Sequence, residues 1–134
     1  MIPERIRQFL EENGCAFVAS ADGSGQPHLA AGHGLRFSDD EHLLFEAWFC
    51  RKTLANVAAN PRVALLCVDP ACGTGYQLVG EVVAAADTAI LNGYVPPLEP
   101  RGLPQVQSRL EIRISEVMEF STIAHSDRSL IPHL

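Results

Sequence analysis

Apolar residues Ile6, Phe9 and Leu10 recur at helical spacing. They predict a helix over residues 3–13, with Pro3 at its start and Gly14 as its stop. The pattern then changes to short extended runs. Residues 15–20 (CAFVAS) predict a strand, 21–27 (ADGSGQP) a turn, and 28–37 (HLAAGHGLRF) a second strand weakened by Gly32 and Gly34. Glycines inside a strand mark places where another group approaches the backbone closely. Residues 38–41 (SDDE) predict a turn and 42–49 (HLLFEAWF) a third strand.

Leu54, Val57 and Ala58 share a helical face, and Asn60-Pro61 ends that helix, because a residue before proline disfavours the helical region. The run 62–68 (RVALLCV) predicts a strand covered on both faces, and 69–75 (DPACGTG) a loop. Residues 76–86 (YQLVGEVVAAA) predict a strand with a bend or bulge at Gly80. Asp87 is a natural N-cap, so 87–95 predicts a short helix. The proline-rich stretch 96–104 reads as a surface excursion, within a wider excursion over 94–104 that is this chain's own. Alternation of Leu110, Ile112 and Ile114 with Glu111 and Arg113 predicts a half-buried strand over 109–120. The polar tail 121–134 is expected on the surface or against a partner.

The sum is about six antiparallel strands in one domain over 1–134, with a helix between the third and fourth. That count predicts a mainly β fold: a small six-stranded antiparallel split barrel of Greek-key type with short flanking helices.

Composition narrows the function. Hydrophobic residues are 47% of the chain and charged residues 19%, which points to apolar surface covered by a partner, another copy among the candidates. The net charge of −6 argues against nucleic-acid binding, which needs a basic face. No apolar run reaches the length of a membrane span, and the first residues are charged rather than signal-like. The four cysteines form no C-x-x-C pair, and Cys15, Cys50 and Cys67 lie in apolar runs. A reduced, cytoplasmic setting is expected. His28 and His33 fall on opposite faces of a strand, so no metal site is expected.

Against this acidic background stands Arg51-Lys52-Thr53, where a strand becomes a helix. A helix N-terminus offers unsatisfied N–H groups and partial positive charge, and so binds anions. Two cations and a hydroxyl there suit a phosphate, with Asn56 one turn on as support. The alternative is a solvated basic pair with Thr53 as a plain cap.

The wider stretch CRKTLANVAANPRVALLCV resembles the S-R-K-x-x-N-L-x-x-N-P-R-V-A-L signature of the FMN-binding split barrels related to pyridoxamine 5'-phosphate oxidase. The upstream ADGSGQPH is similar to the family's D-G-x-P-H turn, and the downstream GTGYQLVGEV to its G-x-x-x-x-x-G-x-A strand. K-T-x-x-N-V-A and G-T-G-Y resemble the small FMN-binding proteins of sulfate-reducing bacteria. The likeness spans residues 5–120. It implies a homodimer with FMN at the subunit interface. It implies that Arg51, Lys52 and Thr53 hold the phosphate with Asn56 in support. Glu46, Ala47 and Trp48 would run along the flavin and ribityl chain, largely through backbone groups. Ala30, Ala31, Gly32 and His33 would flank the ring, and Gln77 would reach it from the other subunit.

The resemblance has a limit. The family's C-terminal Arg-x-His substrate motif is absent, since four residues separate Arg128 from His133. True pyridoxamine phosphate oxidation is therefore not expected. The functional reading is flavin-mediated hydride or electron transfer, with no catalytic residue identified and the substrate unknown. The alternatives are a non-catalytic FMN carrier or sensor, or the same fold holding deazaflavin or haem, with His33 or His125 as axial ligand.

Overall fold

Six strands close into one antiparallel barrel in the order β1-β2-β3-β6-β5-β4. They are β1 (Ala16–Ala21), β2 (Pro27–Phe37), β3 (His42–Trp48), β4 (Arg62–Asp69), β5 (Thr74–Ile90) and β6 (Val106–Ser121), with helices α1 (Glu4–Asn13) and α2 (Arg51–Ala59). The computed structural model describes residues 2–13, 15–48, 51–90 and 106–131, and gives the backbone alone at 33, 47, 48, 88–90, 106 and 107. The expected mainly β barrel is thus the fold.

Alternation builds the interior. Ala16 and Val18 on β1, Leu43 and Phe45 on β3, Val63, Leu65 and Cys67 on β4, and Leu78 on β5 point inward and are buried. Leu110, Ile112, Ile114 and Val117 complete the wall from β6. Ile6 and Leu10 of α1 add to this core, so the apolar stripe read from the sequence is the stripe that is buried. Phe9 meets Tyr76 edge to face at 5.2 Å. Helix α2 packs on β1 and β2.

Three expectations need correction. The helix expected from Asp87 is absent over 87–90, where β5 continues as strand to Ile90 and pairs with β6 through Ala89↔Gln107 and Ile90↔Val106. The rest of that helix and the 94–104 excursion lie outside the described residues, as do Phe49 and Cys50. The tail is not merely draped on the surface: Ile131 is buried and the Leu130 N–H donates to the Val117 carbonyl at 2.7 Å. Cys15 is exposed rather than packed in an apolar run, whereas Cys67 is buried as expected.

Candidate functional site

Strand β2 pairs with β1 over its first half, through Pro27↔Ala21, Ala30↔Val18, Ala31↔Phe17 and Gly32↔Ala16. Its pairing with β3 begins only at His33↔Glu46 and resumes at Arg36↔Leu44. Strand β3 continues past Glu46, but Ala47 and Trp48 pair on their other side, with Ser108 and Gln107 of β6. Among the described residues, the facing edges of β2 at Ala30, Ala31 and Gly32 and of β3 at Ala47 and Trp48 have no ladder partner. Among the described residues the β2–β3 ladder stops here, and the stretch of facing strand edges beyond it is the slot between the two strands. Backbone groups left without partners need water or a ligand.

At the open end of the slot β3 leads to α2. Arg51 and Lys52 are exposed in its first turn, which holds no acidic residue. Among the described residues no carboxylate pairs with either cation. Thr53 and Asn56 behave differently: both are buried. The Asn56 side-chain amide donates to Ser20 Oγ at 3.1 Å, and Ser20 is buried at the end of β1. These polar contacts under the helix fix its first turns to the barrel and present the two cations outward. Ser20 was not singled out from the sequence. Its only signal there is a small hydroxyl closing an apolar strand, which is too common to mark a site.

At the other end of the slot a β-bulge interrupts the ladder between His33 and Arg36. Three steps on β2 oppose two on β3, and Gly34 supplies the left-handed backbone that this needs, with φ of 82°. The extra residue brings Arg36, paired with Leu44, to the same outward face as Glu46, which an unbroken strand would not. Arg36 and Arg109 both donate to the Glu46 carboxylate, at 3.2 and 2.9 Å. The expectation that glycine in β2 admits a close approach therefore gains a second part: Gly34 shapes the strand.

Gln77 is not brought to the slot within one chain. It lies on β5, opposed to Leu66 of β4 and Met118 of β6, across the barrel from β2. His125 lies beyond β6, its Nδ1 3.0 Å from the Ile123 carbonyl and its Nε2 3.6 Å from an Asp127 oxygen, so one ring nitrogen is engaged and the other faces a carboxylate beyond hydrogen-bond range. Arg128 is exposed and His133 lies outside the described residues. A cavity of about 410 Å³ lies under α1, lined by Phe9, Thr74, Gly75, Tyr76, Glu119 and Phe120. Among the described residues it gathers none of the expected site residues and no cation. Among the described residues no group of His, Cys, Asp and Glu could hold a metal ion, and no helix is long and apolar enough to cross a membrane.

Residues 2–119 match the family model of pyridoxamine 5'-phosphate oxidase. An uncharacterised protein of Methanocaldococcus jannaschii, MJ0282, is 34% identical over 100 residues, covering 68% of this chain. The match spans 66% of that relative's own length, a little under two thirds. Among solved structures, an FMN-binding protein from Syntrophomonas wolfei superposes with a TM-score of 0.66 at 14% identity, covering 90% of this chain and 87% of that one. The HupZ protein of Group A Streptococcus gives 0.63 at 22% identity, over 94% and 99%. A putative pyridoxamine 5'-phosphate oxidase from Lactobacillus delbrueckii gives 0.63 at 17%, over 87% and 93%. At these identities the superpositions speak for the fold.

Proposed function

Because the chain belongs to the pyridoxamine 5'-phosphate oxidase family, we propose that it is a homodimeric FMN-binding flavoprotein acting as an oxidoreductase. The observation that carries this reading is the slot between β2 and β3, which ends on two exposed cations that no carboxylate among the described residues neutralises. The residues present fit the cofactor. Arg51 offers a planar fork and Lys52 a point charge to a phosphate dianion. Thr53 and Asn56 are buried, and Asn56 donates to Ser20 of β1, which anchors the turn that presents those cations. The slot edges at Ala30, Ala31, Gly32, Ala47 and Trp48 supply backbone donors and acceptors along an extended ligand, with the paired His33 and Glu46 closing its end.

The dimer rests on an outward row that crosses four interfaces between strands: Ala31, Phe17, Leu66, Gln77 and Met118. Its neighbouring row holds Leu29, Ala19, Ala64 and Val79. Phe17 is 43% and Leu29 68% exposed, large apolar surface for a single chain. An isologous contact about an axis near Phe17 and Leu66 would carry Gln77 of the partner subunit toward Ala31 and the slot. A site on β2 and β3 would then be completed from the other chain.

When bound, the flavin supplies the hydride or electron transfer, and the chain supplies binding, orientation and shielding from water. Pyridoxamine phosphate is not proposed as the substrate, since Arg128 and His133 are not spaced as an Arg-x-His motif. A cytoplasmic setting belongs to the same reading and agrees with the free thiols of Cys15, Cys67 and Cys72.

The test is direct. Protein purified without added cofactor is examined for flavin absorbance, then titrated with FMN, riboflavin and a deazaflavin. One FMN per subunit, with riboflavin bound far more weakly, supports the reading. Equal affinity for FMN and riboflavin removes the phosphate assignment, and a Soret band in place of flavin bands overturns FMN altogether. Turnover with NADH or NADPH and an electron acceptor separates an enzyme from a carrier.

A further inference from the structure

Arg36, Glu46 and Arg109 form a cluster that phosphate binding leaves unused. A single oxygen, Glu46 Oε1, accepts from Arg109 Nε at 2.9 Å and from Arg36 Nη2 at 3.2 Å, and Arg109 Nη2 also lies 2.9 Å from it. The Glu46 side chain is 25% exposed and that of Arg109 39%. One carboxylate against two guanidiniums leaves the cluster with a net positive charge. A guanidinium carries five N–H donors. Arg109 engages Glu46 through two of its nitrogens and keeps further donors for another acceptor.

The position of the cluster gives those donors a purpose. Glu46 is the last residue of β3 paired to β2 before the slot, and Arg109 is its partner on β6. The cluster therefore stands at the closed end of the slot, while Arg51 and Lys52 stand past its open end. From Glu46 to Trp48 the strand rises about 7 Å, and the turn into α2 adds to that. An extended ligand with an anion at one end meets fixed guanidinium donors at the other. The bulge at Gly34 is the structural investment in this arrangement, since without it Arg36 would point away from Glu46.

We infer that Arg109, held in place by Glu46 and Arg36, meets the pyrimidine edge of the flavin ring and stabilises its reduced form. This rests on the FMN reading above. The ring has two edges, and only the pyrimidine edge carries acceptors, at N1, C2=O and C4=O. The dimethylbenzene edge would leave guanidinium donors facing carbon. Two electrons and one proton taken up from an added reductant leave one negative charge on the pyrimidine. A guanidinium already oriented by an ion pair interacts with that charge more strongly than with the neutral oxidised ring, without having to be ordered first. Arg109 thus favours the reduced state and raises the midpoint potential.

The experiment compares the midpoint potential of bound FMN in the unmodified protein, Arg109→Gln and Arg109→Lys, by titration with dithionite against a reference dye. Oxidised FMN affinity is measured alongside. Arg109→Gln is expected to weaken binding of reduced FMN relative to oxidised FMN about tenfold, a fall of about 30 mV for a two-electron couple. Arg109→Lys, which keeps the charge, is expected to recover most of that fall. Oxidised affinity, dominated by the phosphate end, changes little in both. An unchanged potential in Arg109→Gln overturns the inference, and so does an equal fall in both variants, which would point to packing rather than charge. If the unmodified chain binds no FMN, the cofactor reading and this inference fall together. FMN binding with an indifferent potential sinks this inference alone.

Discussion

Arg51 and Lys52 stand where local electrostatics opposes them. The N-terminus of α2 carries partial positive charge, and cations there are unfavourable unless an anion joins them. The pair was legible from sequence because two adjacent cations at a strand-to-helix junction are rare in a chain of net charge −6. The division of labour within the turn was not legible. Exposure separates Arg51 and Lys52 from the buried Thr53 and Asn56, and exposure depends on how α2 sits on β1. Each charge-assisted bond to phosphate is worth about 1.5–3 kcal/mol. Replacing Arg51 and Lys52 with alanine together should weaken FMN binding by roughly two to four orders of magnitude, taking about 1.4 kcal/mol per tenfold. Riboflavin, which lacks the phosphate, should bind the variant and the unmodified protein alike in the same fluorescence titration. A different residue-scale outcome concerns thiols. Burial, with Cys15 nearby, pushes the Cys67 thiol up to about 11. Cys67 therefore stays protonated and covered at neutral pH, while Cys15 and Cys72 are exposed. Alkylation followed by peptide mapping should modify Cys15 and Cys72 in the native protein and Cys67 only after unfolding.

At the scale of elements, local signals succeeded where long-range pairing agreed with them. Helix α1 and strands β1 and β3 form where the sequence put them, each burying one apolar face, whereas β4, expected to be covered on both faces, buries Val63, Leu65 and Cys67 on one. The signal at Asp87 failed for a definite reason. A side chain suited to capping a helix is instead engaged across the ladder, where Ser108 Oγ donates to Asp87 Oδ1 at 3.1 Å. Pairing with β6 runs from Ala84 to Ile90 with one register shift between Asp87 and Ala89, and that non-local ladder outweighs the cap preference of one residue. The slot was invisible for a related reason: strand runs in a sequence carry no mark of which halves of two neighbours pair. A register shift does fall between Val79 and Gly80, but its extra residue is Ser115 on β6 rather than Gly80 on β5. A β-carbon at Gly80 would meet the Arg113 carbonyl oxygen at 2.5 Å and Ile112 Cγ2 at 2.8 Å. Neither can move without disturbing β6. Gly80→Ala should therefore destabilise the fold by about 1–3 kcal/mol, read as a lower midpoint in urea. An unchanged midpoint would show that β6 yields at that point.

For the whole molecule, the low share of charged residues and the exposed apolar rows on β1, β2 and β4 belong together. A chain with 19% charged residues leaves part of its outer sheet aliphatic. That sheet is the one flanking the slot. Strand β4 was expected to be covered on both faces, yet Ala64, Leu66 and Val68 on its outer face are only half-buried in the isolated chain. A second copy would cover them and return β4 to the expected state. The same contact would complete the site, because Gln77 and the slot lie on opposite sides of one barrel and meet only between two. Assembly and cofactor binding are therefore coupled in this reading, and one surface change should lower both. Leu29→Glu places a carboxylate in the outer row without touching the core, since Leu29 is 68% exposed. Leaving a charge unpaired in a buried interface costs about 2–5 kcal/mol, enough to dissociate a micromolar dimer at working concentration. Sedimentation should show a dimer for the unmodified protein and a monomer for Leu29→Glu, with circular dichroism unchanged and FMN affinity reduced. A folded monomer that binds FMN as tightly as the unmodified protein would place the whole site within one chain and remove Gln77 from it.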